Sequence, residues 1–148
     1  MIYVKNTQRS IKLDIPAIKK DVTRILELIG YADFDVNIWF TTNATIRAYN
    51  RDYRHKNKPT DVISFAYYTD AKPGVRIIAE TDDDKNLGDI LVSPKYIQDD
   101  LPNWNQILEE RIRILLVHSI CHLLGYDHIT DSDYTVMQKE EERILSQI

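Results

Sequence analysis

Three of the chain's four histidines fall in one eleven-residue window, as His118, His122 and His128, with Gly125 between the last two. The spacing is H-x-x-x-H-x-x-G-x-x-H. Residues four apart share a helix face with Cβ atoms about 5–6 Å apart, so His118 and His122 can converge on one ion at Zn–N bonds of about 2.0–2.1 Å. Gly125 can adopt the left-handed conformation that ends a helix and turns the chain back, bringing His128 to the same ion. Three neutral imidazoles leave zinc its full charge and one open position for water, the arrangement of a catalytic rather than a closed site. Each histidine alone would more often be a hydrogen-bonded core or surface residue. Two of these, however, lie inside the apolar run Ile112 to Leu124, where unbound imidazoles cost free energy. The window therefore reads as a metal site with one ion per chain.

The same spacing occurs in metzincin proteases, where a glutamate after the first histidine is the general base. Here that position is Ser119, whose hydroxyl cannot take a proton as a carboxylate does, so peptide hydrolysis by that route lacks its base. Met137 invites comparison with a Met-turn, but core filling is the stronger reading. Cys121 points about 60° round the helix from His118, on the side away from His122, and reads as a buried small residue. Asp127 either orients a ligating imidazole or caps the turn, with neither favoured.

A second cluster is basic. Arg47, Arg51, Arg54, Lys56 and Lys58 lie within twelve residues of a chain whose net charge is -4. Most charge runs are solvated faces. Beside an open metal site this one favours a phosphate-bearing substrate, since arginine can hold two phosphate oxygens at once. Tyr49 and Tyr53 are available for stacking on bases.

These residues need a scaffold, and the length and composition describe one ordinary domain, spanning residues 1–148, with an apolar core. Strands are expected at Ile2–Lys5, Ile11–Leu13, Phe34–Phe40, Val62–Tyr67 and Ile90–Ser93, with Leu87-Gly88-Asp89 leading into the last. Helices are expected from the Asp14 cap to Gly30, from Asn43 to Asn50, from Pro94 to Gln98, from Pro102 to Leu124 and from Ser132 to Leu145. Tyr68 to Asn86 reads as a largely exposed excursion, with Arg76–Glu80 as a possible extra strand. Mixed strands and helices packed around one buried helix give an α+β or mixed α/β domain. One cysteine excludes an internal disulfide framework. Ile112–Leu124 is too short for a membrane span, and the N-terminal residues lack the apolar core of a leader, so a cytoplasmic location is expected and the Asn43-Ala44-Thr45 sequon is a coincidence.

Residues 118–128, HSICHLLGYDH, resemble the HGxLHLxGYDH signature of the YbeY-type endoribonucleases, the bacterial rRNA maturation factors. Tyr53-Arg54 followed by Lys58-Pro59-Thr60-Asp61-Val62-Ile63-Ser64-Phe65 is similar to that family's YRxxDKPTDVLSF, and Leu87-Gly88-Asp89-Ile90 to its LGDI strand. The resemblance implies an α+β fold with a sheet of about four strands and zinc on His118, His122 and His128. It also implies cleavage of single-stranded RNA in the cytoplasm, in maturation of the small-subunit rRNA end and in ribosome quality control. It makes Arg54 the residue implicated in activity. Arg51, Lys56 and Lys58 are the candidate RNA contacts, and the ribosome, through its small subunit, is the expected partner; a ribosomal-protein or GTPase partner is not identified. Ser119, Cys121, Asn57 and Ala66 replace the family's usual Gly, Leu, Asp and Pro; none removes a ligand. The leading expectation is a zinc-dependent endoribonuclease with its general base unassigned. The alternatives are a non-catalytic ribosome-assembly factor with a structural metal, and a hydrolase of peptides or small amides resting on the spacing alone.

Overall fold

The computed structural model describes all residues, 1–148. Strands β1 (Ile2–Asn6), β2 (Asp35–Phe40), β3 (Val62–Ala66) and β4 (Asn86–Val92) form one sheet in the order β1-β2-β4-β3. β1, β2 and β4 run parallel, and β3 pairs antiparallel with β4. Five helices complete the chain: α1 (Ile15–Ile29), α2 (Asn43–Arg54), α3 (Pro94–Asp100), α4 (Leu108–Leu123) and α5 (Asp131–Leu145).

The register explains the layers. Ile38 pairs with Val4 on one side and Ile90 on the other, and Phe40 with Val92. Alternate residues of a strand share a face, so Val36, Ile38, Phe40, Ile90 and Val92 make one apolar sheet face, each 1% exposed or less. α4 packs on it and is buried nearly all round, through Ile112, Leu115, Leu116, Val117, Ile120 and Leu123. That covering makes it the central helix. α2 lies on the opposite face, where Ile46 meets Ile63 and Leu91. At Gly88 (φ +131°) a Cβ would strike the Phe65 carbonyl oxygen and come within 3.1 Å of Leu123, so glycine lets α4 and β3 close on β4. No helix is long and apolar enough to cross a membrane.

Several boundaries depart from the sequence expectation. Ile11–Leu13 is not a strand: the buried Gln8 side chain takes both Ile11 backbone groups, Nε2 donating to the Ile11 carbonyl (2.8 Å) and Oε1 accepting its N–H (2.9 Å). Arg76–Glu80 adds no strand either, because the Ile77 N–H is spent on the Tyr31 hydroxyl (2.8 Å). α4 begins at Leu108 rather than Pro102, which lies in a separate 3-10 turn, Leu101–Asn103. Asp100 holds that turn, accepting from Asn103 Nδ2 and Trp104 Nε1 (2.7 and 2.9 Å). α2 runs one turn further than expected, to Arg54. The 68–86 excursion is not loose: Tyr68 reaches the Asp84 carbonyl (2.5 Å), Ile77 is buried, and Arg76 lies over the Tyr31 ring at 3.9 Å.

Candidate metal centre

His118 and His122 stand one turn apart on α4, half-buried, while His128 is exposed. One ring nitrogen from each lies within 4.8 Å of the others. Gly125 (φ +94°) makes the turn that returns His128, and Ala71 of the 68–86 segment packs so tightly there that a Cβ would meet its carbonyl. The excursion thus braces the loop that carries the third histidine.

The hydrogen bonds decide which nitrogen each ring offers. His122 Nδ1 is 2.9 Å from the Tyr126 carbonyl, which can only accept, so Nδ1 carries the proton. His118 Nδ1 is 3.1 Å from Glu141 Oε2, which an ionised carboxylate likewise only accepts. Both rings therefore turn Nε2 inward, and these two atoms face each other at 3.1 Å. Two Nε2 atoms this close need a proton or a metal ion between them. Tetrahedral ligands at 2.0–2.1 Å from one ion stand about 3.3 Å apart, so the pair fits a shared metal. Burial, helped by the neighbouring His118, pushes the His122 imidazole below its ordinary range and keeps it in the neutral form that ligates.

The histidines open into a cleft of about 700 Å³ walled by β3, α4 and α5, with Arg54 entering from the end of α2. His55 ends α2 in the left-handed conformation (φ 59°), its N–H bonding the Arg51 carbonyl, which leaves Arg54 as the last helical residue. Arg54 is exposed and its side chain makes no hydrogen bond or ion pair. A second hollow, of about 780 Å³, lies over the outer sheet face near Tyr3 and Trp39 and contains no such convergence of ligands.

Of the other basic residues, Arg47 is held by Asn57 (2.9 Å) and Arg51 pairs with Asp52 (2.9 Å). Arg51, Lys56 and Lys58 are exposed and stand outside the cleft lining. Tyr49 is half-buried against Trp39 and Phe65, joining α2 to the sheet, and Tyr53 stacks on it at 5.9 Å. Ser119 is fully buried and absent from the cleft wall, so it cannot serve as base. Cys121 is fully buried, and burial pushes its thiol far up. Asp127 caps the turn through the Ile129 N–H (3.2 Å). Met137 is core, as expected, and also lines the cleft.

Glu141, Trp104 and Arg111 also line this cleft, and sequence reasoning passed over all three. Glu141 had one readable signal: it follows Met137 by four residues and so shares its helix face. The other two had none, since the turn at residues 101–103 sets their approach.

Comparison with known proteins agrees with this architecture. Residues 3–148 match the family model described as Endoribonuclease YbeY. The human Endoribonuclease YbeY is 30% identical over 147 residues, covering 99% of this chain and 87% of that one. The proteins of the same name from Caldicellulosiruptor bescii and Clostridium acetobutylicum are 35% and 36% identical, covering 97% and 99% of this chain and 94% and 96% of theirs. A Thermotoga maritima protein solved in solution shares the fold, with a TM-score of 0.58 at 20% identity over 99% of this chain and 90% of that one. With the family model matching nearly end to end and the relatives at 30% or better, the chain belongs to the endoribonuclease YbeY family.

Proposed function

We propose that this protein is a zinc-dependent endoribonuclease specific for single-stranded RNA. It acts in the cytoplasm on the small-subunit rRNA end and in ribosome quality control, with the ribosome as partner. His118, His122 and His128 hold one zinc ion, Arg54 is the catalytic cation, and Arg51, Lys56 and Lys58 contact RNA beyond the cleft. The observation that carries this reading is the convergence of three histidine nitrogens within 4.8 Å, two of them Nε2 atoms 3.1 Å apart, opening on a cleft that Arg54 enters unpaired.

Zinc bound there supplies Lewis acidity and hydroxide at neutral pH. The chain's own groups do the rest. Glu141 and the Tyr126 carbonyl keep the protons on the Nδ1 atoms, so the nitrogens facing the cleft stay free to ligate. Arg54 offers a planar pair of N–H donors to phosphate oxygens and stabilises the charge that grows on them as the backbone bond breaks. Ile114, Leu115 and Met137 give the cleft an apolar wall, which lowers the local dielectric and strengthens that attraction.

The test is metal content by mass spectrometry on protein purified without a histidine tag, with cleavage of a labelled single-stranded RNA before and after chelation. About one zinc per chain and chelator-sensitive cleavage are expected. His122→Ala loses metal and cleavage together, and Arg54→Glu keeps metal but loses cleavage by a hundredfold or more, in the range of about 10²–10³ for a lost transition-state donor. Metal retained in His122→Ala would sink the ligand assignment. Metal without cleavage by the wild-type protein would favour a non-catalytic assembly factor, or an enzyme that needs its ribosomal partner.

A further inference from the structure

Arg54 is not the only cation of the cleft. Arg111, in the first turn of α4, also lines it although only 9% exposed, with its guanidinium 3.6 Å from the centroid of the Trp104 ring. Its side chain makes no hydrogen bond and no ion pair. Asp61 and Asp100 lie near enough to favour its charge, against burial that opposes it, but neither bonds to it. Asp100 is engaged with Asn103 and Trp104, and Asp61 accepts from Thr60 and the Val62 N–H.

A guanidinium this buried without a bonded anion is costly, and the indole face offsets only part of the cost. A ring covering the flat face of a guanidinium leaves its five N–H donors free in the plane, and these are the donors that grip phosphate in pairs. The Arg111 nitrogens are not sealed from the cleft. Arg111 and His118 lie on one stripe of α4, seven residues or about 10.5 Å of helix rise apart. That offset sets Arg111 further along the cleft than the histidines, where a neighbouring phosphate of the same strand fits. Trp104 stands beside it, 42% exposed, with its Nε1 anchored on Asp100 at 2.9 Å.

We propose that Arg111 and Trp104 form a second nucleotide subsite, in which Arg111 holds a neighbouring phosphate of single-stranded RNA and the exposed surface of Trp104 stacks on its base. The inference rests on the RNA-cleaving reading and deepens it: the cleft then engages at least two nucleotides along α4 and gains affinity for RNA over mononucleotides.

The experiment measures anisotropy of a fluorescent single-stranded oligoribonucleotide on the full metal-loaded chain across a salt series, for wild type, Arg111→Gln and Arg111→Lys. Arg111→Gln is expected to weaken binding about tenfold and to reduce the slope of log K against log salt by about 0.7, the loss of one phosphate contact on a single strand. Metal content stays unchanged, and Arg111→Lys restores the slope. A merely structural arginine would lower Tm and leave the slope alone, and a wild-type slope in Arg111→Gln overturns the subsite while the RNA reading stands. Wild-type protein that does not bind the oligonucleotide overturns both. Should Arg111→Gln fold poorly, Trp39→Phe leaves Trp104 as the sole tryptophan; its emission should be quenched by the oligonucleotide, and unchanged emission under saturating RNA overturns the proposal.

Discussion

Glu141 is where the metal reading is most exposed to refutation. Its Oε2 accepts the Nδ1 proton of His118 at 3.1 Å, with the two side chains 20% and 28% exposed. Glu141→Ala leaves that half-buried N–H without its acceptor and the ring free to rotate, so His118 no longer presents Nε2 to the ion in advance. Partners of this kind are worth about 10–100-fold in metal affinity, or about 1.4–2.7 kcal/mol. The partial exposure puts the expectation at the lower part of that range, since water replaces some of the lost bond. Glu141→Gln keeps an acceptor oxygen at the same reach and removes only the charge, so its loss should be a few-fold. The assay is competitive zinc titration against a chromophoric chelator at fixed pH, with Tm of the metal-free proteins recorded to separate folding from binding. Wild-type affinity in Glu141→Ala would refute the argument that the Nδ1 bond organises the ligand. Equal losses in the two variants would show that charge, not orientation, is what Glu141 supplies.

Two further outcomes follow from the packing. Gly125→Ala must combine φ +94° with a Cβ aimed at the Ala71 carbonyl group, its carbon only 2.5 Å away; at about 2 kcal/mol for backbone strain and clash together, Tm should drop by about 4–8 °C in a thermal melt, and zinc affinity should fall because the turn returns His128. Cys121 is fully buried with its thiol pushed far up, so iodoacetamide should leave it unmodified in native protein by mass spectrometry and label it fully in urea; labelling of the native chain would show that α4 is not the closed core helix described.

The His118, His122 and His128 window was readable without a fold because its geometry is local. A helix sets the four-residue step between the first two rings, and a glycine supplies the turn that brings back the third, so residue types and spacing suffice. The same holds for α1, with its Asp14 cap and Gly30 stop, and for β2, whose alternation is strict over Val36, Ile38 and Phe40. Ile11–Leu13 and Arg76–Glu80 misled for the opposite reason: they have strand-like composition, but Gln8 and Tyr31 take the backbone groups a strand would have offered. Pairing partners are a property of the packed chain, not of the segment. Glu141 reaches His118 from 23 residues away along the chain, and Arg111 bonds to neither Asp100 nor Asp61, although both lie near it. Which nitrogen each histidine presents, which arginine is free to meet a phosphate and which serine is shut away from the cleft all depend on how α5, the 101–103 turn and the 68–86 segment close around α4. Those contacts join distant residues through burial and hydrogen-bond competition, and no local pattern encodes their outcome.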